Sequence, residues 1–290
     1  MAEKVYVIGA TGNIGQKAVQ NLLAKGVATT IYVRDVEKSK NLFKENKLLT
    51  IVQGDYDNLQ KFKETIGGHT RLFYLITDLP RMPVLKEQLA SWAYEAGVKQ
   101  IVDISSRFTQ FPWRTSFIGE AHRLAEEKVY HLALKHNRNF VALRPSRFFI
   151  NHLWVDGPTI KEENAIYDSN ENDAKIEWIS TDDIADVATL VLTDPVEKHG
   201  NMAYPLIGDS VTGPDRAAIF TEALGRTITY KKVSATEKYN GMIKNNIPHG
   251  IALDIAVVDT FDPPTKIVPV LLGRPYETLK EWVFKNKDAF

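Results

Sequence analysis

The sequence predicts an α/β fold: a doubly wound parallel sheet followed in the chain by a smaller α/β lobe. Three observations predict it. Six short apolar runs alternate with helix-patterned segments between residues 4 and 146. A turn with three glycines at intervals of three, GATGNIG at residues 9–15, joins the first run to the first helix. Beyond residue 150 the alternation gives way to prolines, aromatics and isolated short strands. Strands that alternate with helices pair in parallel, and the helices cover both faces of the sheet.

KVYVIGA (4–10) is apolar enough to be a strand buried on both faces. The helix after it carries Ile14, Ala18, Val19, Leu22 and Leu23 on one side and stops near Gly26. TTIYVRD (29–35), β-branched and aromatic, is a second strand, followed by a charged helix over 37–46. LLTIVQGD (48–55), a helix over NLQKFKETI, the strand RLFYLIT (71–77), a helix over VLKEQLASWAYEAG and the strand VKQIVDISS (98–106) continue the rhythm. A long helix over 119–136 and the strand NFVALRPS (139–146) complete a Rossmann-type arrangement. The expected division is a sheet domain at 1–150 and a smaller substrate lobe at 151–290, intertwined with the first rather than independent. Residues 147–170 hold Gly157-Pro158 and scattered aromatics with few periodic runs, and 176–192 read as a strand entering an amphipathic helix. Two short strands, MAYPLIG and TITYKKV, and helices near 214–224, 235–245 and 276–288 fill the remainder.

Hydrophobic residues make up 44% of the 290 and charged residues 25%, which suits a chain that folds on its own. Lysine plus arginine number 36 and aspartate plus glutamate 36, so no net field draws the chain to nucleic acid or to an anionic membrane. The absence of cysteine excludes disulfides, thiolate metal sites and cysteine nucleophiles. No run approaches the roughly 18 apolar residues of a membrane span. MAEKVYVIGATG enters a strand at once, without a signal peptide's apolar region, and a cytoplasmic location is expected. No metal is expected either: the seven histidines show no ligand spacing, and no G-x-S-x-G nucleophile motif appears. Asp182, Asp183 and Asp186 in ISTDDIADVA follow Ser180 and Thr181 at the start of an apolar-periodic run, where acids favour a helix N-terminus.

Glycines in a βα turn let the backbone approach a pyrophosphate, and the next helix offers its unpaired N–H groups. Gly9, Gly12 and Gly15 stand where that requires them. Nineteen residues after Gly15, where an NAD enzyme has an acid for the ribose hydroxyls, stands Arg34. Arginine there grips a 2′-phosphate in a two-pronged charged contact, and Lys38 adds a point charge. NADP(H) is therefore the expected cofactor. The alternative is that Arg34 is a solvated strand end and Asp35 holds an NAD ribose.

GATGNIG, VRD closing the second strand, GDYDN after the third and LRPSRFFINHL after the sixth together resemble the NmrA-like branch of the atypical short-chain dehydrogenases/reductases, over essentially the whole chain. More narrowly, TIKEENAIYDSNENDAKIEWISTDDIADVA and LLGRPYETLKEWVFKNKDAF look like the festuclavine and agroclavine dehydrogenase-like members, fungal enzymes that reduce an iminium. The resemblance implies that Thr11, Asn13 and Ile14 line the pyrophosphate loop. It further implies that Asp55 and Tyr56 lie near the adenine, and that Leu75, Ile76 and Thr77 pass beside the cofactor.

Carbonyl-reducing members of the wider family carry Tyr-x-x-x-Lys on the helix after the fifth strand, where the lysine lowers the pKa of a tyrosine that protonates the alkoxide. Here that helix reads SFIGEAHRLAEEKVYHLA. With Glu126 at the glutamate position that follows the lysine by four, His122 replaces the lysine and Ile118 the tyrosine. The dyad is missing. His122 and Glu126 share a helix face and are expected to hydrogen-bond and orient the nicotinamide ribose, or to form a plain surface pair. Ser105 or Ser106 stands in for the serine that usually precedes the dyad, or satisfies loop amides instead. Catalytic candidates are thus His122, Glu126 and Ser105. Phe108, Phe111, Trp113, Phe148, Phe149, Trp154 and Tyr167 are aromatic candidates for a flat ligand, with core packing the alternative for each. The expected function is NADPH-dependent hydride transfer to a small electron-poor substrate, an iminium, quinone or enone, which dispenses with a strong proton donor. The alternative is a non-catalytic NADP(H)-binding redox sensor acting through a protein partner.

Overall fold

Each strand expected between residues 4 and 146 is present in the computed structural model, which describes residues 3–257 and 262–290. In chain order the first part runs β1 (Lys4–Ile8), α1 (Asn13–Ala24), β2 (Ala28–Val33), α2 (Val36–Leu42), β3 (Leu49–Gln53), α3 (Gln60–Thr65), β4 (Arg71–Tyr74), α4 (Met82–Glu95), β5 (Gln100–Ile104), α5 (Phe117–His136) and β6 (Asn139–Pro145). Then come β7 (Arg147–Phe148), α6 (His152–Val155), α7 (Gly157–Glu163), β8 (Ala165–Asp168), β9 (Ile176–Ile179), α8 (Thr181–Thr193), α9 (Val196–His199) and β10 (Ala203–Leu206). The chain continues with β11 (Asp209–Val211), α10 (Gly213–Leu224), β12 (Thr229–Lys232), α11 (Ala235–Lys244), α12 (His249–Val257), α13 (Ile267–Leu272) and α14 (Leu279–Asn286).

The main sheet has the order β10-β6-β5-β4-β1-β2-β3. β1 pairs in parallel with both β2 and β4, so the strand order reverses there and leaves a crevice at the C-terminal strand ends. β10 lies within MAYPLIG, which sequence order assigns to the smaller lobe, yet it is the seventh strand of the main sheet, beside β6. Residues 147–170, expected to be irregular, hold β7, two short helices and β8, which pairs in parallel with β12. Their helices have four and seven residues, too short to show a 3.6-residue period.

The chain forms two compact units. The first comprises Met1–Thr109, Glu120–Arg144 and Ile184–Tyr204. Its core packs Tyr6, Ile8, Leu72, Tyr74 and Ile101 of the sheet against Phe62, Leu89, Ala93 and Val129 of the covering helices. The second comprises Gln110–Gly119, Pro145–Asp183 and Pro205–Phe290, with a core that includes Phe149, Ile160, Trp178, Phe220 and Trp282. Three of its helices begin with the same reciprocal cap: Thr212 with Asp215, Ser234 with Glu237 and Thr278 with Glu281. Among the described residues no helix is long and apolar enough to cross a membrane.

Candidate cofactor site

The loop after β1 admits little but glycine at two positions. Gly9 has a φ of +87°, and a Cβ there would stand 2.6 Å from the Leu75 carbonyl oxygen. A Cβ on Gly15 would stand 2.1 Å from the Gly9 carbonyl oxygen. The loop folds back on itself, the Gly12 amide donating to Gly9 O at 3.2 Å, and α1 begins at once. Gly12 caps α1 without a side-chain acceptor, and the first turn contains no acid. The first N–H groups and the positive dipole end are therefore left to an external anion.

A cavity of about 450 Å³ is lined by this loop and by the residues that end β2, β3 and β4. Of the expected cofactor residues its wall includes Gly9, Thr11, Gly12, Arg34, Asp55, Tyr56, Leu75 and Thr77. Ile14, Gly15 and Ile76 are buried behind it, and Asn13 and Lys38 are exposed outside the wall. Arg34 is exposed and makes no ion pair among the described residues; it pulls the Tyr56 hydroxyl down against the larger upward push of burial. Asp35 is committed elsewhere: its carboxylate caps α2 by accepting from the Lys38 amide at 2.8 Å. Asp55 is likewise turned inward, accepting from the amides of Asp57 (2.9 Å) and Asn58 (3.0 Å). Tyr32 ties that loop to the sheet, its hydroxyl 3.1 Å from the carbonyls of Asp55 and Asn58. Arg81, which carries no sequence motif, bridges the loops after β3 and β4 by pairing with Asp57 at 2.6 Å and Asp78 at 2.7 Å.

Next to this cradle in the same unit lies a buried polar cluster. The Ser105 hydroxyl, just past β5, donates to Glu126 on α5. Glu126 also takes a forked contact from Arg144, with Nε at 3.0 Å and Nη2 at 2.5 Å. His122 does not bond to Glu126. Its Nδ1 has no partner, and burial, reinforced by Lys86, pushes the imidazole well below its ordinary pKa, so the ring is neutral at physiological pH. Lys86 on α4 and Asp103 on β5, both wholly buried, pair at 2.6 Å. Lys86 Nζ also donates to Ile104 O at 3.3 Å and lies 5.4 Å from the centre of the Tyr74 ring. Tyr74 and Asp103 are register partners, yet the Tyr74 hydroxyl and Asp103 Oδ2 both lack a hydrogen bond. Sequence reasoning missed this pair, although Lys86 falls on the apolar stripe of its helix with Met82, Leu89 and Ala93.

The aromatic candidates scatter. Phe108 is buried in the first unit, where its amide donates to Ser106 Oγ at 3.1 Å, so Ser106 satisfies the loop. In the second unit Phe149 is wholly buried against Trp282, a core residue, and Trp113 is exposed. Phe111 and Phe148 are half-buried. Trp154 and Tyr167 share the wall of one cavity. The three aspartates diverge: the Asp182 amide is held by Ser180 Oγ, Asp183 binds Arg274 and the Glu277 amide, and Asp186 accepts from Asn21. Among the described residues no group of three or more His, Asp or Glu side chains is placed to hold a metal.

Comparison with known proteins agrees with a dinucleotide site. A family model described as NAD(P)H-binding matches residues 9–195, and one described as the NmrA-like family matches residues 137–271. An NAD(P)H azoreductase from Xenophilus azovorans is 26% identical over 99% of both chains. Quinone oxidoreductase 2 from Escherichia coli is 24% identical over 96% of this chain and 97% of the relative. Agroclavine dehydrogenase from Claviceps fusiformis reaches 33% over 61% of this chain and 58% of the relative. The crystal structure of a Citrobacter sp. triphenylmethane reductase with NADP(H) superposes with a TM-score of 0.79 at 23% identity, covering 99% of this chain and 100% of the other.

Proposed function

Starting from the NAD(P)H-binding family, to which this chain belongs, we propose that the protein is an oxidoreductase of the atypical short-chain type. It would use NADPH to reduce a small electron-poor acceptor: a quinone, an azo or triarylmethane dye, or a cyclic iminium ion. The division of labour between Arg34 and Asp35 carries the cofactor choice. Asp35 caps α2 through one carboxylate oxygen and is not among the residues that line the cavity, while Arg34 lines it and makes no ion pair among the described residues. Its guanidinium fork matches a 2′-phosphate. The start of α1, capped by Gly12 without a side-chain acceptor and free of acids in its first turn, fits the pyrophosphate, and glycines at 9 and 15 are what let the loop fold so tightly against it.

When bound, the dihydronicotinamide supplies a hydride. The three catalytic candidates read from the sequence supply no ready proton to accompany it. The Ser105 hydroxyl is committed to Glu126, Glu126 to Arg144, and His122 is neutral. A simple ketone would leave a strongly basic alkoxide without a donor. An iminium carbon accepts hydride while its C=N π pair passes to nitrogen, giving a neutral amine with no proton required. A quinone gives a phenolate weakly basic enough for solvent to protonate. An azo bond that takes a hydride also needs a proton, which would come from solvent. The azoreductase and the quinone oxidoreductase that span the full chain are named for such acceptors, which weighs against the sensor reading.

Anaerobic mixing with NADPH and a panel of quinones, azo dyes, triarylmethane cations and cyclic iminium ions tests the proposal. Acceptor-dependent loss of the reduced-nicotinamide absorbance is expected. Arg34→Ala is expected to weaken NADPH roughly 10- to 100-fold, the worth of a charged hydrogen bond, while sparing NADH. NADPH binding without oxidation by any acceptor would defeat the reductase, and equal loss for both cofactors would defeat the 2′-phosphate assignment.

A further inference from the structure

The second unit contains a cavity of about 330 Å³ that the reductase reading leaves unused. Its wall includes Trp154 at the end of α6, Glu163 on α7, Tyr167 on β8, and Glu237, Gly241 and Met242 on α11. The volume is within the range of small-molecule sites.

Trp154 is 45% exposed, although a side chain of its size normally finds a packing partner. Its indole N–H donates to Asn151 Oδ1 at 3.3 Å, which orients the ring without covering it. Gly241 stands in the interior of α11, where glycine weakens a helix relative to alanine. Beyond its chain neighbours and the backbone of its own helix, no atom among the described residues lies within 4 Å of the position its Cβ would take. No close approach therefore requires glycine at 241, and the residue lines the cavity without a side chain of its own. Met242, the next residue, is buried.

The wall includes two carboxylates, Glu163 and Glu237, beside Thr159, Lys238 and Asn245, whose side-chain amide donates to Gly241 O at 3.0 Å. Glu163 accepts from the Tyr167 hydroxyl at 2.5 Å, and that hydroxyl accepts from Lys231 at 3.0 Å. Glu237 accepts from the Ser234 amide at 2.8 Å and hydroxyl at 2.7 Å, bonds that hold its carboxyl below the usual range. Each carboxylate has lone pairs beyond these bonds. Lys238, the basic residue of the wall, is committed to Asp168, which also holds Arg216 at 2.6 Å.

We propose that this cavity binds an aromatic amine, its ring against the indole of Trp154 and the phenol of Tyr167 and its amino hydrogens donated to the carboxylates of Glu163 and Glu237. An aryl carboxylate of the same shape meets two like charges, while the nearby cations Lys238 and Lys231 are already bonded to Asp168 and to the Tyr167 hydroxyl. A ring with no donor forgoes those hydrogen bonds. The site uses no residue of the cofactor cradle, so it stands independently of the reductase reading.

1-Naphthylamine serves as the probe, titrated into the full chain with tryptophan fluorescence and calorimetry as readouts. One saturable submillimolar site is expected, with 1-naphthoate and 1-methylnaphthalene weaker by about tenfold or more. Gly241→Leu, which fills the cavity, is expected to weaken the amine by about tenfold or more. Gly241→Ala is expected to weaken it less while raising the melting temperature, which separates filling from misfolding. Trp154→Phe is expected to remove the quenching while calorimetry still reports binding. No saturable binding, equal affinity for the amine and the carboxylate, or undiminished binding by Gly241→Leu would each overturn the proposal.

Discussion

Asp103 in the first unit and Asp168 in the second are both buried aspartates paired with a lysine, yet their carboxyl groups move in opposite directions. Burial pushes Asp103 up to about 6, against the pull of Lys86. Burial acts on Asp168 as well, but Lys238, Arg216 and the Ser169 amide together bring its carboxyl well below the usual range. The difference is the number of donors. Asp103 has Lys86 on one oxygen and a bare Oδ2, with the Glu126 charge nearby. Asp168 has Lys238, Arg216, the Ser169 amide at 2.8 Å and Asn170 at 2.9 Å. Burial alone therefore does not decide the state of an acid. The surrounding donors decide whether burial is opposed or outweighed.

Removing the single donor of the sparse cluster is the hardest test of that contrast. Lys86→Met leaves the Asp103 carboxylate buried without a partner, and a loss of about 3–5 kcal/mol is expected in urea titrations, the typical cost of breaking a buried pair. Lys86→Met with Asp103→Leu removes both charges and is expected to recover most of it. A single variant as stable as the native chain would show that Asp103 does not depend on Lys86. Asp168→Asn strips a charge from a denser network, where Arg216 keeps Asp156 and the loss is shared; about 2–4 kcal/mol is expected at pH 7.

The pH dependence carries the sign. A depressed acid contributes stability that is present above its unfolded pKa of about 3.9 and lost as pH falls toward its folded value. The acid limb of native stability below about pH 4 is thus expected to flatten in Asp168→Asn. Asp103 works the other way. Its raised pKa favours the native state at low pH, and its contribution declines as pH rises from about 4 to 6. A native chain whose stability rose through that window as steeply in Lys86→Met/Asp103→Leu as in the wild type would remove Asp103 from the account.

Much of the frame was legible because its signals are local. The glycine spacing of 9–15, the period of α1 and the Arg34-Asp35 step all lie within the first two consecutive βα units, and the chain folds there as its pattern states. What escaped depends on distant parts of the chain meeting. β10 joins the main sheet because β6 offers an edge, and nothing near residue 203 announces it. Arg81 bridges two loops that only the sheet brings together. Phe149 looks like a pocket aromatic in RFFINHLW, but Trp282, far along the chain, buries it. The His122–Glu126 spacing fits a hydrogen bond, yet Ser105 and Arg144 satisfy Glu126 first.

Two smaller effects sharpen the lesson. Glu177 on β9 is 1% exposed, and neither of its carboxylate oxygens has a hydrogen-bond partner. Glu177→Gln keeps the shape and removes the charge, and a gain of about 1 kcal/mol is expected in the same titrations; a loss would mean that the carboxylate meets a donor in solution.

His122 gives the smallest effect. A general acid at this position would contribute roughly 100-fold or more to turnover. The imidazole is neutral, buried beside Lys86 and unbonded at Nδ1, so it has no proton to lend at physiological pH and little hold on its neighbours. His122→Ala is therefore expected to change acceptor-dependent NADPH oxidation by only a few-fold, about what a small shift of α5 against Ser105 would produce. Abolished hydride transfer with NADPH binding intact would identify His122 as a proton donor. The ring would then have to gain a partner for Nδ1 when cofactor and acceptor are bound, and the sparse cluster would belong to the chemistry instead of lying beside it.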